Sequence, residues 1–106
     1  MTTVINNSFL GFIPVGTHIV TGVLSTATEL VVPEGATGAI VQAVDDDVSY
    51  TFDGVTTPTT TVGFIQSPAD TPTRIDLFPG CKVQAFSNTG ILQIQFFKII
   101  DHSSNN

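Results

Sequence analysis

Tryptophan is absent from this 106-residue chain, cysteine and tyrosine occur once each, and its only cations are Arg74, Lys82 and Lys98. Each shortage excludes something. Nucleic-acid binding needs a basic patch that displaces counterions from phosphates, and three scattered cations cannot build one. A net charge of −6 opposes anionic membrane surfaces for the same reason. With Cys81 alone, no intrachain disulfide can form. It follows Pro79-Gly80 and precedes a strand-like run, so the expectation is a small buried thiol. Neither His18, at the start of an apolar run, nor His102, in the polar tail, offers it a local base.

Charge of either sign is scarce. Charged residues make up 11% of the chain and apolar ones 42%, whereas an average soluble domain carries about 25% charged residues. Two readings follow: a sturdy monomer with a threonine and serine exterior, or a surface partly covered by other chains. The first cation stands at residue 74, so no charged leader is expected. No apolar run approaches the ~20 residues of a membrane span. The expectation is a chain made in a reducing cytoplasm, or part of a particle assembled there. A domain of this length buries roughly 60 to 70% of its extended-chain surface, enough for one core.

Helical periodicity is nearly absent too. Threonine, valine, isoleucine and phenylalanine come in short runs separated by Gly, Pro, Asn and Asp, which is strand composition. The expected strands are 18–24, 29–32, 38–44, 48–52, 61–65, 73–78, 82–86 and 91–97. In "GAIVQAV" (38–44) the apolar run is almost continuous, as in a strand buried on both faces. In "VSYTF", Val48, Tyr50 and Phe52 share one face and Ser49 and Thr51 the other. Asp53-Gly54 is a strong turn signal, and "SNTG" (87–90) reads as a four-residue hairpin loop. Leu92, Ile94 and Phe96 are expected inward, with Gln93 and Gln95 outward. About eight short strands at this spacing predict an all-β fold, an antiparallel β-sandwich or small jelly roll.

The two ends depart from the pattern. The expected division is an N-terminal arm over 1–17, a sandwich over 18–100 and a frayed polar tail over 101–106. In the arm, Phe9, Leu10, Phe12 and Ile13 crowd together without alternation. Exposed, four such side chains would form a hazardous patch, so the arm must fold back on its own sandwich or lie on a neighbouring chain. About 15 extended residues reach up to ~50 Å, far enough to cross to another subunit.

Catalytic chemistry finds little to use. Asp45-Asp46-Asp47, with Asp53, supplies oxygens of the type calcium prefers, but consecutive strand-end residues point in different directions. A solvated turn is the expectation, with no metal and no cofactor. No nucleophile elbow, phosphate loop or histidine pair appears, and no carboxylate sits in an aromatic pocket motif. The expectation is therefore a protein that is not an enzyme. Sugar-binding sandwiches stack an exposed aromatic on a sugar face, and here Tyr50 is the one candidate of the preferred type. "SYTFDGVTTPT" resembles a strand-and-turn element of immunoglobulin-like modules attached to glycan-processing enzymes.

A longer resemblance covers most of residues 30–98. "LVVPEGATGAIVQAVDDDVSYTFDGVTTPTTTVGF" (30–64) and "GILQIQFFK" (90–98) resemble a pattern of small bacteriophage virion proteins. The resemblance implies a small structural β-sandwich on the virus particle, a head decoration or cement protein. It would bind the major capsid protein at the capsid surface, as a homo-oligomer with the trimer favoured. Phe9, Leu10, Phe12 and Ile13 are then the expected inter-subunit contacts. The alternative expectation is a carbohydrate- or receptor-binding module of a phage tail, with an aromatic platform near Tyr50.

Overall fold

The computed structural model describes residues 8–78 and 80–103, with side chains described over 11–78 and 80–100. It contains nine strands and, among these residues, no helix: β1 (Ser8–Pro14), β2 (Ile19–Val20), β3 (Thr28–Leu30), β4 (Gly38–Val44), β5 (Val48–Thr51), β6 (Phe64–Gln66), β7 (Thr73–Asp76), β8 (Val83–Phe86) and β9 (Ile91–Ser103). They form two antiparallel sheets. One has the order β1-β9-β4-β7 with β2 also on β9, and the other is β3-β8-β5-β6. The all-β sandwich expected from composition and alternation is the fold observed.

The core lies between the sheets. Leu92, Ile94 and Phe96 of β9 and Ala39, Val41 and Ala43 of β4 face Val48, Tyr50, Val83 and Ala85 of the second sheet, all of them buried. Alternation along β9 is as expected from its sequence. Strand β4 differs from its near-continuous apolar run. Its burial alternates, with Ile40, Gln42 and Val44 only half-covered on the outer face. Among the described residues no third layer covers that face, so apolar side chains there stay partly wet.

The ends are the main difference between expectation and structure. β9 runs through Ser103, three residues into the segment expected to be a frayed tail, because the arm pairs with it. Ser8–Pro14 run antiparallel to Phe97–Ser103, from Ser8↔Ser103 to Pro14↔Phe97. The ladder continues with Val15 N–H donating to Phe96 O at 3.0 Å and resumes at Ile19↔Ile94. Between Pro14 and Ile19 the first strand spends four residues against two on β9. Gly16, at φ 76°, sits in that bulge, where a side chain would be strained.

Pairing between β4 and β9 ends at Gly38↔Phe97. Beyond it, β9 and β1 continue as a two-stranded ribbon of about 20 Å at 3.3 Å per residue. This ribbon lengthens the molecule to 56 × 29 × 23 Å.

Candidate interaction surface

At the base of the ribbon, the outer face of the first sheet carries an aromatic stack. Phe97 is almost wholly buried although it alternates with the core-facing Phe96. The Phe12 ring covers it, with centroids 4.6 Å apart, and the Arg74 guanidinium lies 5.2 Å from Phe12 and 5.7 Å from Phe97. Gly38 makes room beneath. A Cβ there would stand 2.7 Å from Cε1 of Phe97. Arg74 also pairs with Asp76 at 3.0 Å, the one ion pair found among the described residues.

Phe12 and Ile13 are each 49% exposed. Phe9 and Leu10 stand opposite His102 and Asp101 in the β1–β9 ladder, while their side chains lie outside the described residues. Folding back of the arm onto its own sheet is thus what residues 8–14 do, and it leaves the Phe12 and Ile13 side chains half uncovered.

A second apolar surface opens from the same end. Phe64 pairs with Tyr50 and stands two residues from Gln66, which is 2% exposed. Phe52 likewise stands two residues beyond Tyr50. All three rings therefore belong to the core-facing side of their sheet. They cluster, with Tyr50–Phe64 centroids at 5.9 Å and Phe52–Phe64 stacked at 5.7 Å. Yet Phe64 is 60% exposed, on β6 at the edge of its sheet.

A shallow depression of 310 Å3 results, lined by Tyr50, Phe52, Phe64 and Ile75 with Arg74 and Asp76 on its rim. Phe52 carries the depression into two neighbours, one reaching Thr56 and the other reaching Phe78 and Cys81. Burial raises the pKa of the Tyr50 phenol, so it stays a neutral hydrogen-bonding group.

The other sequence candidates serve the scaffold. Asp53 closes its turn: the carboxylate accepts the Thr56 hydroxyl at 2.6 Å and the N–H groups of Thr56 and Val55 at 2.8 and 2.9 Å. Those bonds hold its pKa at about 2, below the ordinary 3.8. Asp46 accepts the Thr89 hydroxyl at 2.8 Å and the Asp47 N–H at 2.8 Å, which also lower its pKa. It thereby ties the β4–β5 turn to the β8–β9 turn. Asp45 takes φ 74°, a left-handed conformation that aspartate tolerates.

No group of three or more His, Cys, Asp or Glu side chains converges among the described residues. His18 Nε2 hydrogen-bonds Gln93 Oε1 at 2.9 Å on the exposed face. Cys81 is half-buried rather than buried, and its Sγ accepts the Phe78 N–H at 3.1 Å.

Sequence reasoning placed Tyr50 and Phe52 on one face but missed Phe64 and Phe78 as surface groups. The available signal was the in-register spacing of Phe64 and Gln66 on a strand too short to be covered. Comparison of the chain with protein-family models, with curated proteins and with solved structures finds no match.

Proposed function

We propose that this protein is a non-enzymatic structural protein of a bacteriophage particle. In this reading it is a capsid decoration protein that binds the major capsid protein on the head surface as a homo-oligomer, most simply a trimer, after synthesis in the host cytoplasm. The observation that carries the reading is the β1–β9 ribbon. It extends past the sandwich and offers Phe12 and Ile13 half-exposed, where a soluble monomer would place polar groups. The virion-protein pattern over residues 30–98 supports the same role, as does the scarcity of charge.

Mechanically, each contact would bury apolar area against shell subunits or trimer mates. At ~25 cal/mol per Å2, before association costs, several such contacts reinforce a shell against the pressure of packaged DNA. The test is co-sedimentation with heads of the phage that encodes the chain, prepared without it. Saturable binding that raises the temperature of head rupture is expected; heads that sediment bare would overturn the proposal. Phe9→Asp combined with Phe12→Asp is expected to abolish binding or association, and retention of both would remove the arm from the contact.

One observation favours a second reading, a carbohydrate- or receptor-binding module of a phage tail. The Phe64 ring is exposed beside Tyr50 with the Arg74–Asp76 pair at its edge, an apolar ledge with polar groups able to orient a sugar. A glycan array silent at millimolar sugar would remove it.

A further inference from the structure

We propose that the polar pocket beside the β4–β5 and β8–β9 turns binds a primary ammonium group carried on a short aliphatic stem. The proposal stands apart from the particle role above and concerns a different face of the molecule.

The pocket lies on the outer side of the β3-β8-β5-β6 sheet. It encloses about 160 Å3, with Asp46, Asp47, Ser49, Thr60, Ile65 and Phe86 in its walls. Strand register puts it there. Ser49 of β5 stands opposite Phe86 of β8 and Ile65 of β6, and residues directly opposite on paired strands share a face. Val48 and Tyr50 take the core side, so these three side chains point away from it.

Strand β5 is nonetheless buried along its whole length. The β5–β6 connection folds over its outer face, which holds two polar side chains, Ser49 and Thr51. The Thr51 hydroxyl donates to Thr56 O at 2.7 Å. Ser49 is 4% exposed, and its hydroxyl has no hydrogen-bond partner among the described residues, although buried polar groups ordinarily have one. Ser87 nearby differs: its hydroxyl donates to Asp47 O at 2.6 Å and accepts the Gly90 N–H at 2.9 Å. The unspent group is Ser49, and it lines the pocket.

The charge around it is uncompensated. Bonds from the Thr89 hydroxyl and the Asp47 N–H hold the pKa of Asp46 low, so it stays ionised. The Asp47 carboxylate is exposed and has no ion-pair partner among the described residues. The chain's three cations are elsewhere. Arg74 pairs with Asp76, Lys82 lies against Gly54 at the opposite end of β8, and Lys98 stands opposite Ile13 in the other sheet. Acids on a turn are usually just solvated; the buried hydroxyl and the apolar wall set this pocket apart.

The ligand's chemistry follows from these groups. A primary ammonium brings three N–H donors and no acceptor, so it can use the carboxylates and the Ser49 oxygen together. Phe86 and Ile65 give an aliphatic stem a surface to lie on. Calcium would take about six to eight oxygens, and among the described residues no third His, Cys, Asp or Glu converges with the two aspartates. The volume is about ten times what one water needs, which suits a stem of a few methylenes.

The experiment is a titration of the isotope-labelled full chain with butylammonium chloride, followed by amide chemical shifts at constant ionic strength so that screening does not vary. Saturable shifts at Asp47, Ser49, Ile65 and Phe86 are expected. Asp47→Asn should weaken binding about tenfold through loss of a charge-assisted bond, and Ser49→Ala about threefold through loss of an acceptor. Tetramethylammonium, a cation without N–H donors, and butanol, a stem without charge, should leave these amides unmoved. Ser49→Ala should also keep or raise the melting temperature, since its hydroxyl bonds nothing within the fold.

No saturation by about 0.1 M butylammonium overturns the proposal. So does an equal response to tetramethylammonium or butanol, an unchanged affinity in Asp47→Asn, or a lowered melting temperature in Ser49→Ala. Once butylammonium binds, diaminobutane and Nα-acetyl-lysine methylamide separate the sources of the group. Tighter binding of the diamine marks a free polyamine, and tighter binding of the blocked lysine marks a side chain of a partner protein.

Discussion

The side-chain amide of Gln66 completes the edge of a strand in the opposite sheet: its Oε1 accepts the backbone N–H of Ala43 at 2.7 Å. The same amide donates through Nε2 to Val41 O and Thr71 O at 3.1 Å and to Thr73 Oγ1 at 3.0 Å. Its position explains the need. Strand β7 leaves β4 at Val41↔Thr73, so the next inward-edge N–H, that of buried Ala43, has no strand partner. Gln66, on β6 of the other sheet, stands in for one.

Replacing Gln66 with Leu removes that stand-in while keeping an apolar body of similar size. A buried N–H and a buried carbonyl are left unsatisfied, at about 1–3 kcal/mol each. The expected loss is about 2–4 kcal/mol of unfolding free energy by urea titration with an unchanged slope. A loss below about 0.5 kcal/mol would mean that water or backbone movement satisfies both groups.

Gly38 is the floor under Phe97. A methyl group there meets the Phe97 ring and, at 2.8 Å, the carbonyl oxygen of Ile75. Gly38→Ala is expected to destabilise by about 1–3 kcal/mol through overpacking. Adding Phe97→Leu should restore only part, since the Ile75 carbonyl remains. Full recovery in the double variant would locate the whole clash at the ring.

Acid should weaken the Asp53 turn in a defined window. The folded pKa of about 2 lies below the ordinary 3.8, so the charged form is the one the fold favours. Its contribution is complete above the unfolded value and fades as pH falls from 3.8 towards about 2. The native chain should therefore exceed Asp53→Asn in stability by a margin that shrinks over this window. Asp46, lowered in the same direction, is common to both proteins and cancels in the comparison. A margin equal at about pH 2 and at neutrality would show that hydrogen bonds to the neutral side chain, not the carboxylate, close the turn.

Hydrogen exchange should divide β9 into two parts. Amides of Leu92 to Phe96 lie between β4 on one side and the β1–β2 segment on the other, and they should exchange only on global unfolding. Amides of Ile100 to Ser103 have β1 alone beside them and should exchange far faster in dilute protein. Concentrating the protein should slow the second group selectively if the ribbon is covered by another copy. Equal protection of both groups at every concentration would mean that the ribbon is as stable as the sandwich without a partner.

Much of this architecture was legible in the residues, for local reasons. Strict alternation over Leu92–Phe96 fixed which face of β9 enters the core, because side chains on a strand switch sides at every residue. Asp53-Gly54 announced a turn, and the structure shows why: the carboxylate caps the N–H groups that follow, and Gly54 takes φ 77°. The run Ile19–Leu24 was less legible. Only Ile19–Val20 form a strand, since β9 offers them a short stretch of edge beyond the bulge at Gly16.

Local sequence accounts for the all-β class, the inward face of the strongly alternating strands and the main turns. These depend on a residue and its near neighbours. Three-dimensional strand pairing settles that the arm pairs with a lengthened β9, that Gln66 patches the edge of β4, and that Phe64 is a core-side ring left 60% exposed. Such outcomes depend on where strands far apart in the chain begin and end. A period of two assigns a side chain to a face, but cannot say whether the opposing sheet extends far enough to cover it.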